Sequence, residues 1–324
     1  MFPDHRFCIA PMMQCTDTHN RRLHRRLTKN ALLYTEMIAV NALVHGKQIN
    51  KLKFSNEEHP IAVQLGGSDP DLLAAAAILC DRFNYDEINL NLGCPSERVL
   101  KGSFGASLML DINLVKRCIE AMQKVTKTPI TIKCRIGIDN EDRYEFIANF
   151  VKEISEIGIG TFIIHARNAI LRGLSPRQNR SIPPLKYDYV YKLKKDFPEL
   201  QFIINGGIKT IEECKDHLKY VDGVMIGREA YDNPIFLEDI DEEIYNSHHS
   251  QKFSREELLD WYLNYLDSDK REPSEFKIML KHIFGLYKSQ SNAKIYRYKI
   301  NEAMQMLSSK PVRDFIQGQY QDHQ

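Results

Sequence analysis

Neither sign of charge is in excess in this 324-residue sequence: 44 lysines and arginines stand against 43 aspartates and glutamates. Net charge therefore gives no sign of a nucleic-acid partner, and only local clusters can. No apolar run approaches the ~20 residues that a membrane-crossing helix needs, and Met1 to Arg6 lacks the apolar stretch of a secretory leader. A cytoplasmic protein without a membrane partner is expected. The seven cysteines are odd in number, widely spaced and free of any C-x-x-C. That removes the grounds for a disulfide framework or a zinc site, so reduced thiols and no metal are expected. No G-x-G-x-x-G follows a strand-like segment, so a stably bound dinucleotide is not indicated. What is present is 43% apolar and 27% charged residues, enough for a large core and unlike disordered, collagenous or disulfide-rich chains.

Eight short β-rich runs recur: Phe7 to Ala10, Leu33 to Thr35, Ile61 to Leu65, Glu87 to Leu92, Ile130 to Arg135, Thr161 to His165, Gln201 to Asn205 and Gly223 to Gly227. Several intervals read as amphipathic helices, among them Leu72 to Phe83, Asn113 to Val125 and Arg143 to Ile157. Strands alternating with helices imply a parallel sheet, and eight such units predict a (β/α)8 TIM barrel over residues 1–240 rather than a doubly wound sheet. Beyond that only helical patterns remain, so residues 241–324 are expected to form a separate helical domain. Ser254 and Glu257 form a capping box ahead of Leu258, Leu259, Trp261 and Leu263, and Phe276, Met279, Leu280, Ile283, Phe284 and Tyr287 mark the face of a further helix.

In a barrel strand alternate residues face the lumen, which opens into the active site at the strands' C-terminal ends. In the fifth strand Ile130, Ile132, Cys134 and Ile136 form the outer face, so Thr131, Lys133 and Arg135 point inward. The same parity turns Asn89 and Asn91 inward from the fourth strand, and Ile163 and His165 from the sixth. A polar layer that merely plugs the barrel is the bland alternative. It is disfavoured because an unpaired buried Lys or Asn is costly. Asn205-Gly206-Gly207 and Gly227-Arg228 end the seventh and eighth strands, where TIM barrels often hold a phosphate on bare backbone N–H groups. Either pair alone could be a simple steric turn; both in the right two units favour phosphate. Cys94 lies between Gly93 and Pro95 just beyond the fourth strand. A thiol at neutral pH mostly holds its proton, so proton donor is a simpler role than nucleophile. The other six cysteines are read as structural.

These motifs are together highly specific. Ala10-Pro-Met-Met13, Gln64-Leu-Gly-Gly67, Asn91-Leu-Gly-Cys-Pro95, Lys133-Cys-Arg-Ile-Gly137, Ile164-His-Ala-Arg167, Asn205-Gly-Gly207 and Ile226-Gly-Arg228 resemble the landmarks of the tRNA-dihydrouridine synthases over nearly the whole chain. The run from Ala166 to Leu185 is similar to the signature of their A subfamily, which acts at positions 20 and 20a of the D-loop. The resemblance implies reduction of tRNA uridine with tightly bound FMN and a transient electron donor, NADPH. It implies that Pro11, Met12, Met13, Gln64, Lys133, His165, Asn205, Gly206, Gly207, Gly227 and Arg228 hold FMN. Cys94 would protonate C5 of the uracil while hydride reaches C6, with Asn91 placed to hydrogen-bond the base.

A target base must leave the tRNA fold, at a cost of a few kcal/mol that protein contacts must offset. From Phe276 to Asn301 there is no acid but six bases, interleaved with Tyr287, Tyr296 and Tyr298; Lys277, Lys281 and Lys288 are expected to form a stripe on one helix. Lys294 and Arg297 are taken as tRNA contacts. So are Arg177 and Arg180, in a long rim loop that also holds Arg172. Arg21, Arg22, Arg25 and Arg26 of the first helix are read as a solvated face. A monomer is expected. The alternative is a flavin-dependent reductase of a free pyrimidine, which would have no use for the basic helical domain. An RNA-binding protein without chemistry would not need Cys94 or Lys133 in the lumen. A phosphosugar isomerase would share the phosphate loops, but no inward carboxylate is evident in the fourth to sixth strands.

Overall fold

Eight parallel strands close into a barrel in sequence order: β1 (Phe7–Ile9), β2 (Leu32–Ala39), β3 (Ile61–Gly66), β4 (Glu87–Leu92), β5 (Ile130–Arg135), β6 (Thr161–His165), β7 (Gln201–Asn205) and β8 (Gly223–Ile226), with β1 pairing β8. The structure is a computed structural model and describes residues 3–46, 48–96, 102, 104–247 and 252–318. The architecture is the expected TIM barrel. Its crossover helices fall where apolar periodicity and capping residues put them. Asp69 accepts from the backbone N–H groups of Asp71 and Leu72 to open α3 (Pro70–Asp81), and Asp111 accepts from Leu114 to open α4 (Ile112–Gln123). They follow α1 (Thr18–Leu27) and α2 (Val40–Val44), and lead to α5 (Tyr144–Ser155), α6 (Tyr187–Asp196) and α7 (Ile211–His217). Part of the lumen is filled by an apolar plug of Cys8, Ala10, Leu32, Tyr34, Ala62, Ile163, Ile203 and Met225, one or two residues from most strands.

Contacts divide the chain into two units, one of Met1–Thr18 with Asn30–Gly227 and one of His19–Lys29 with Arg228–Gln324. The second unit thus begins earlier than the change of sequence pattern near residue 240, and it takes in most of α1. The reason lies in the arginines of that helix. The Arg22 guanidinium lies 4.1 Å from the ring centre of Tyr265 and that of Arg26 4.2 Å from that of Phe253, while Arg21 and Arg25 are buried. The solvated-face reading of this cluster is therefore overturned. A planar guanidinium can stack on an aromatic face and give up water at little cost.

Apart from α1 this unit contains α8 (Arg228–Asp232), α9 (Ile240–Glu243), α10 (Arg255–Asp267), α11 (Pro273–His282), α12 (Ala293–Met306) and α13 (Lys310–Ile316). The Ser254 and Glu257 capping box forms as the sequence indicates, with reciprocal bonds of 3.1 and 2.7 Å. α11 is shorter than its apolar pattern suggests and stops at His282. At Gly285 the chain runs so close to the end of α8 that a Cβ would stand 2.6 Å from the Asp232 carbonyl oxygen. Ile283 and Tyr287 still join the core, but from turns.

Candidate active site

Register sets the inward residues side by side. Asn91 lies opposite Lys133 across β4 and β5, Arg135 opposite His165 across β5 and β6, and His165 opposite Asn205 across β6 and β7. The Lys133 ammonium donates to Asn205 Oδ1 at 3.0 Å, and Asn205 Nδ2 donates to the Met225 carbonyl at 2.8 Å. Burial, with Arg135 nearby, pushes the Lys133 pKa from 10.5 down to about 8. Burial first, and then Arg135, Lys133, Arg167 and Arg180, hold the His165 imidazole well below its ordinary value, so it is neutral at pH 7. Arg135 is lowered to about 10, chiefly by burial, and stays charged. The mouth of the barrel is thus strongly electropositive.

Cys94 is half-buried on a loop held from three directions. Its N–H donates to Asn91 Oδ1 at 3.0 Å, its carbonyl accepts from Ala106 at 3.0 Å, and the preceding Gly93 carbonyl accepts from Arg135 Nε at 3.1 Å. Asn91 also accepts from Gly93 N–H at 3.2 Å and donates to Gln64 Oε1 at 2.8 Å. Gly206 and Gly207 have φ of +118° and +80°, and their N–H groups donate to no described residue. A Cβ on Gly206 would stand 2.7 Å from the His165 ring. Unpaired backbone donors in a turn without Cβ atoms, beside a neutral imidazole, suit the phosphate of an anionic cofactor. Gly227 approaches Met12, whose sulfur would lie 3.2 Å from a Cβ there; Pro11 is half-buried and Met13 is 56% exposed. Arg228 follows as the exposed first residue of α8.

The rim loop after β6 is stapled by Asn179, which is fully buried. Its amide accepts from Ile170 N–H at 2.8 Å and donates to the Ile170 and Leu174 carbonyls at 2.9 and 3.2 Å. Arg135 Nη1 donates to the backbone carbonyls of Asn168 and Asn179, so one buried guanidinium ties this loop to the Cys94 loop. Arg177 and Arg180 stand exposed on it. Arg135 was legible as inward, but its role as a tie was not. Glu87 was missed. It shares the parity of Asn89 and Asn91 and points into the barrel from the first position of β4, contrary to the reading that no inward carboxylate is present. It sits at the end of β4 opposite the mouth, so the isomerase reading does not return.

In the second unit Lys294 and Arg297 are exposed on α12, and Lys277 and Lys281 on α11. Lys288 lies beyond the end of α11 and is paired with both Glu229 oxygens at 2.8 and 3.0 Å, and Lys299 with Glu302 at 2.9 Å. The expected stripe of Lys277, Lys281 and Lys288 on one helix is therefore corrected to its first two members. Tyr287 and Tyr296 are core residues, while Tyr298 is 55% exposed.

Residues 8–319 match the dihydrouridine synthase family. The chain is 46% identical over 303 residues to a Synechocystis protein named tRNA-dihydrouridine(20/20a) synthase, covering 94% of this chain and 90% of that one. Proteins of the same name from Vibrio vulnificus and Escherichia coli are 47% and 48% identical, over 92% and 93% of this chain and 91% of each of theirs. Matched over nearly its whole length by the family and by these relatives, the chain belongs to the dihydrouridine synthase family.

Proposed function

We propose that this protein reduces uridine to 5,6-dihydrouridine in the D-loop of tRNA, at the positions 20 and 20a that its relatives' names carry, using tightly bound FMN and NADPH as transient donor. The observation that carries this reading is the Cys94 thiol, on a loop whose backbone is pinned, at the same barrel mouth as Lys133 and the unpaired N–H groups of Gly206 and Gly207. FMN, when bound, supplies hydride chemistry for C6 of the uracil. The N–H groups of Gly206 and Gly207, with His165 and Arg228, would hold its phosphate, and Pro11 to Met13 and Gly227 would line its surroundings. Lys133 would supply an ammonium for the pyrimidine end of the flavin, which is anionic once reduced.

Cys94 Sγ holds the proton that goes to C5, and three contacts to the backbone fix the loop that carries the thiol. Asn91 spends its oxygen on the loop and one N–H on Gln64, which leaves one N–H for the base. Arg177 and Arg180 meet tRNA phosphates at the rim, and Lys294 and Arg297 do so from the helical unit, which serves tRNA binding while the barrel carries the chemistry. No helix among the described residues is long and apolar enough to cross a membrane, and a tRNA substrate fits work in the cytoplasm, as a monomer. The test is to incubate an unmodified tRNA transcript with the protein, FMN and NADPH and to map the product. Dihydrouridine at positions 20 and 20a is expected. Product elsewhere in the tRNA, or equal turnover of free uracil, would overturn the assignment.

A further inference from the structure

A chain of side-chain hydrogen bonds runs through the barrel from the foot of β4 to the Cys94 loop. At the foot, Glu87 Oε1 accepts from the hydroxyls of Thr131 at 2.5 Å and Tyr34 at 2.8 Å, and Glu87 Oε2 lies 2.5 Å from His5 Nε2. Above it Asn89 Nδ2 donates to Thr131 Oγ1, Gln64 Nε2 to Asn89 Oδ1, and Asn91 Nδ2 to Gln64 Oε1, each at 2.8 Å. Asn91 Oδ1 is left to receive the N–H groups of Gly93 and Cys94. Glu87, Asn89 and Thr131 are fully buried and Gln64 is 1% exposed, so water does not readily substitute for any link.

The chain has a direction, and Glu87 is one of the two ends that set it. A threonine hydroxyl has a single hydrogen. With that hydrogen given to the carboxylate, Thr131 can only accept from Asn89, so the Asn89 oxygen must face Gln64. The Gln64 oxygen must then face Asn91, and Asn91 must offer its own oxygen to the loop. Without an acceptor at the foot Thr131 can donate upward instead. Each amide is then free to turn over, and in the reversed order Asn91 would present N–H groups to the N–H groups of Gly93 and Cys94. A plug that served only to fill the lumen would need no such order.

We infer that Glu87 is a positioning residue, which through Thr131, Asn89, Gln64 and Asn91 holds the Cys94 loop in the arrangement that offers the thiol to the substrate. This rests on the reading of Cys94 as proton donor, but the arrangement can be read without turnover. The experiment compares Glu87→Leu, which removes the acceptor, Thr131→Val, which cuts the chain while keeping Glu87, and Glu87→Gln, whose amide oxygen can still accept from Thr131. In each full-length protein the rate of alkylation of Cys94 by iodoacetamide is measured against that of Cys15, a half-buried thiol outside the chain. In the flavin-loaded protein, reoxidation by unmodified tRNA is followed separately from reduction by NADPH.

Glu87→Leu and Thr131→Val are expected to change the Cys94 to Cys15 ratio at least threefold. Both should slow the tRNA step at least tenfold and leave the NADPH step within twofold, while Glu87→Gln stays close to the parent in all three. Should Glu87→Leu not fold, Thr131→Val alone decides. An unchanged ratio and tRNA step in the folded variants, with only stability lost, would overturn the inference, as would a Glu87→Gln protein as impaired as Glu87→Leu. If the ratio shifts as expected but Cys94→Ala retains full turnover, the loop is positioned by Glu87 and it is the proton-donor reading that fails.

Discussion

Replacing Lys133 by methionine keeps most of the length of the side chain and removes the partly buried ammonium. The fall of its pKa from 10.5 to about 8 corresponds to about 3 kcal/mol of cost in holding that charge in the folded chain, at about 1.4 kcal/mol per pH unit. Because the folded value is the lower one, the unfolded chain binds more protons between about pH 8 and 10.5, so stability from this group rises with pH across that window and the full cost is present below it. Lys133→Met abolishes the cost and also the 3.0 Å bond to Asn205, a loss of about 1–2 kcal/mol, so at pH 7 the variant is expected to be about 1–2 kcal/mol more stable than the parent. The sharper readout is the change of that gap with pH, in which every other titrating group cancels. Between about pH 7 and 9.5 the parent should gain about 1–2 kcal/mol on the variant, the lower end allowing for screening at the open mouth. Urea unfolding of the flavin-free proteins, followed by circular dichroism at the two pH values, measures it. A gap that stays constant would refute the buried-ammonium reasoning. The same titration predicts that flavin affinity of the parent weakens above about pH 8, by at most about tenfold per unit, and that of Lys133→Met does not.

Cys94→Ala should keep its affinity for flavin and tRNA and lose at least about 100-fold in turnover on unmodified tRNA; full activity would remove the thiol from the mechanism. Arg177→Ala with Arg180→Ala should weaken tRNA binding and flatten its dependence on log salt by about 1.4–1.8, as two phosphate contacts require, and an unchanged slope measured by filter binding would show that the rim loop does not touch the backbone. Gly206→Ala forces a Cβ to within 2.7 Å of the His165 ring at a φ of +118°, so flavin retention after gel filtration should drop by at least about tenfold, together with about 1–3 kcal/mol of stability. Retained flavin would mean that this turn does not cradle the phosphate.

Strand parity made much of the mouth legible. Lys133, Asn91, His165 and Asn205 are polar residues in otherwise apolar β-rich runs, and the alternation that turns them inward survives into the barrel. Glu87 obeys the same alternation within the run from Glu87 to Leu92, but it stands at the first position of the strand, at the end away from the mouth where site residues are sought. The arginines of α1 illustrate a different limit. Guanidinium groups that stack on Tyr265 and Phe253 cannot be told from solvated ones until those distant rings are placed. Lys288 looked free because its partner, Glu229, lies 59 residues away, and α11 looked longer because nothing in its apolar spacing announces that Gly285 must abut Asp232. Local periodicity survives folding wherever one face is buried. Contacts between remote segments are what it does not encode.

The anaerobic absorbance cycle of the purified protein bears most directly on the flavin-dependent reduction of tRNA uridine. A yellow protein that bleaches with NADPH, regains its colour with unmodified tRNA and stays bleached with free uracil is the predicted result. A protein that remains colourless after reconstitution with FMN, or one whose colour returns equally well with free uracil, would contradict it.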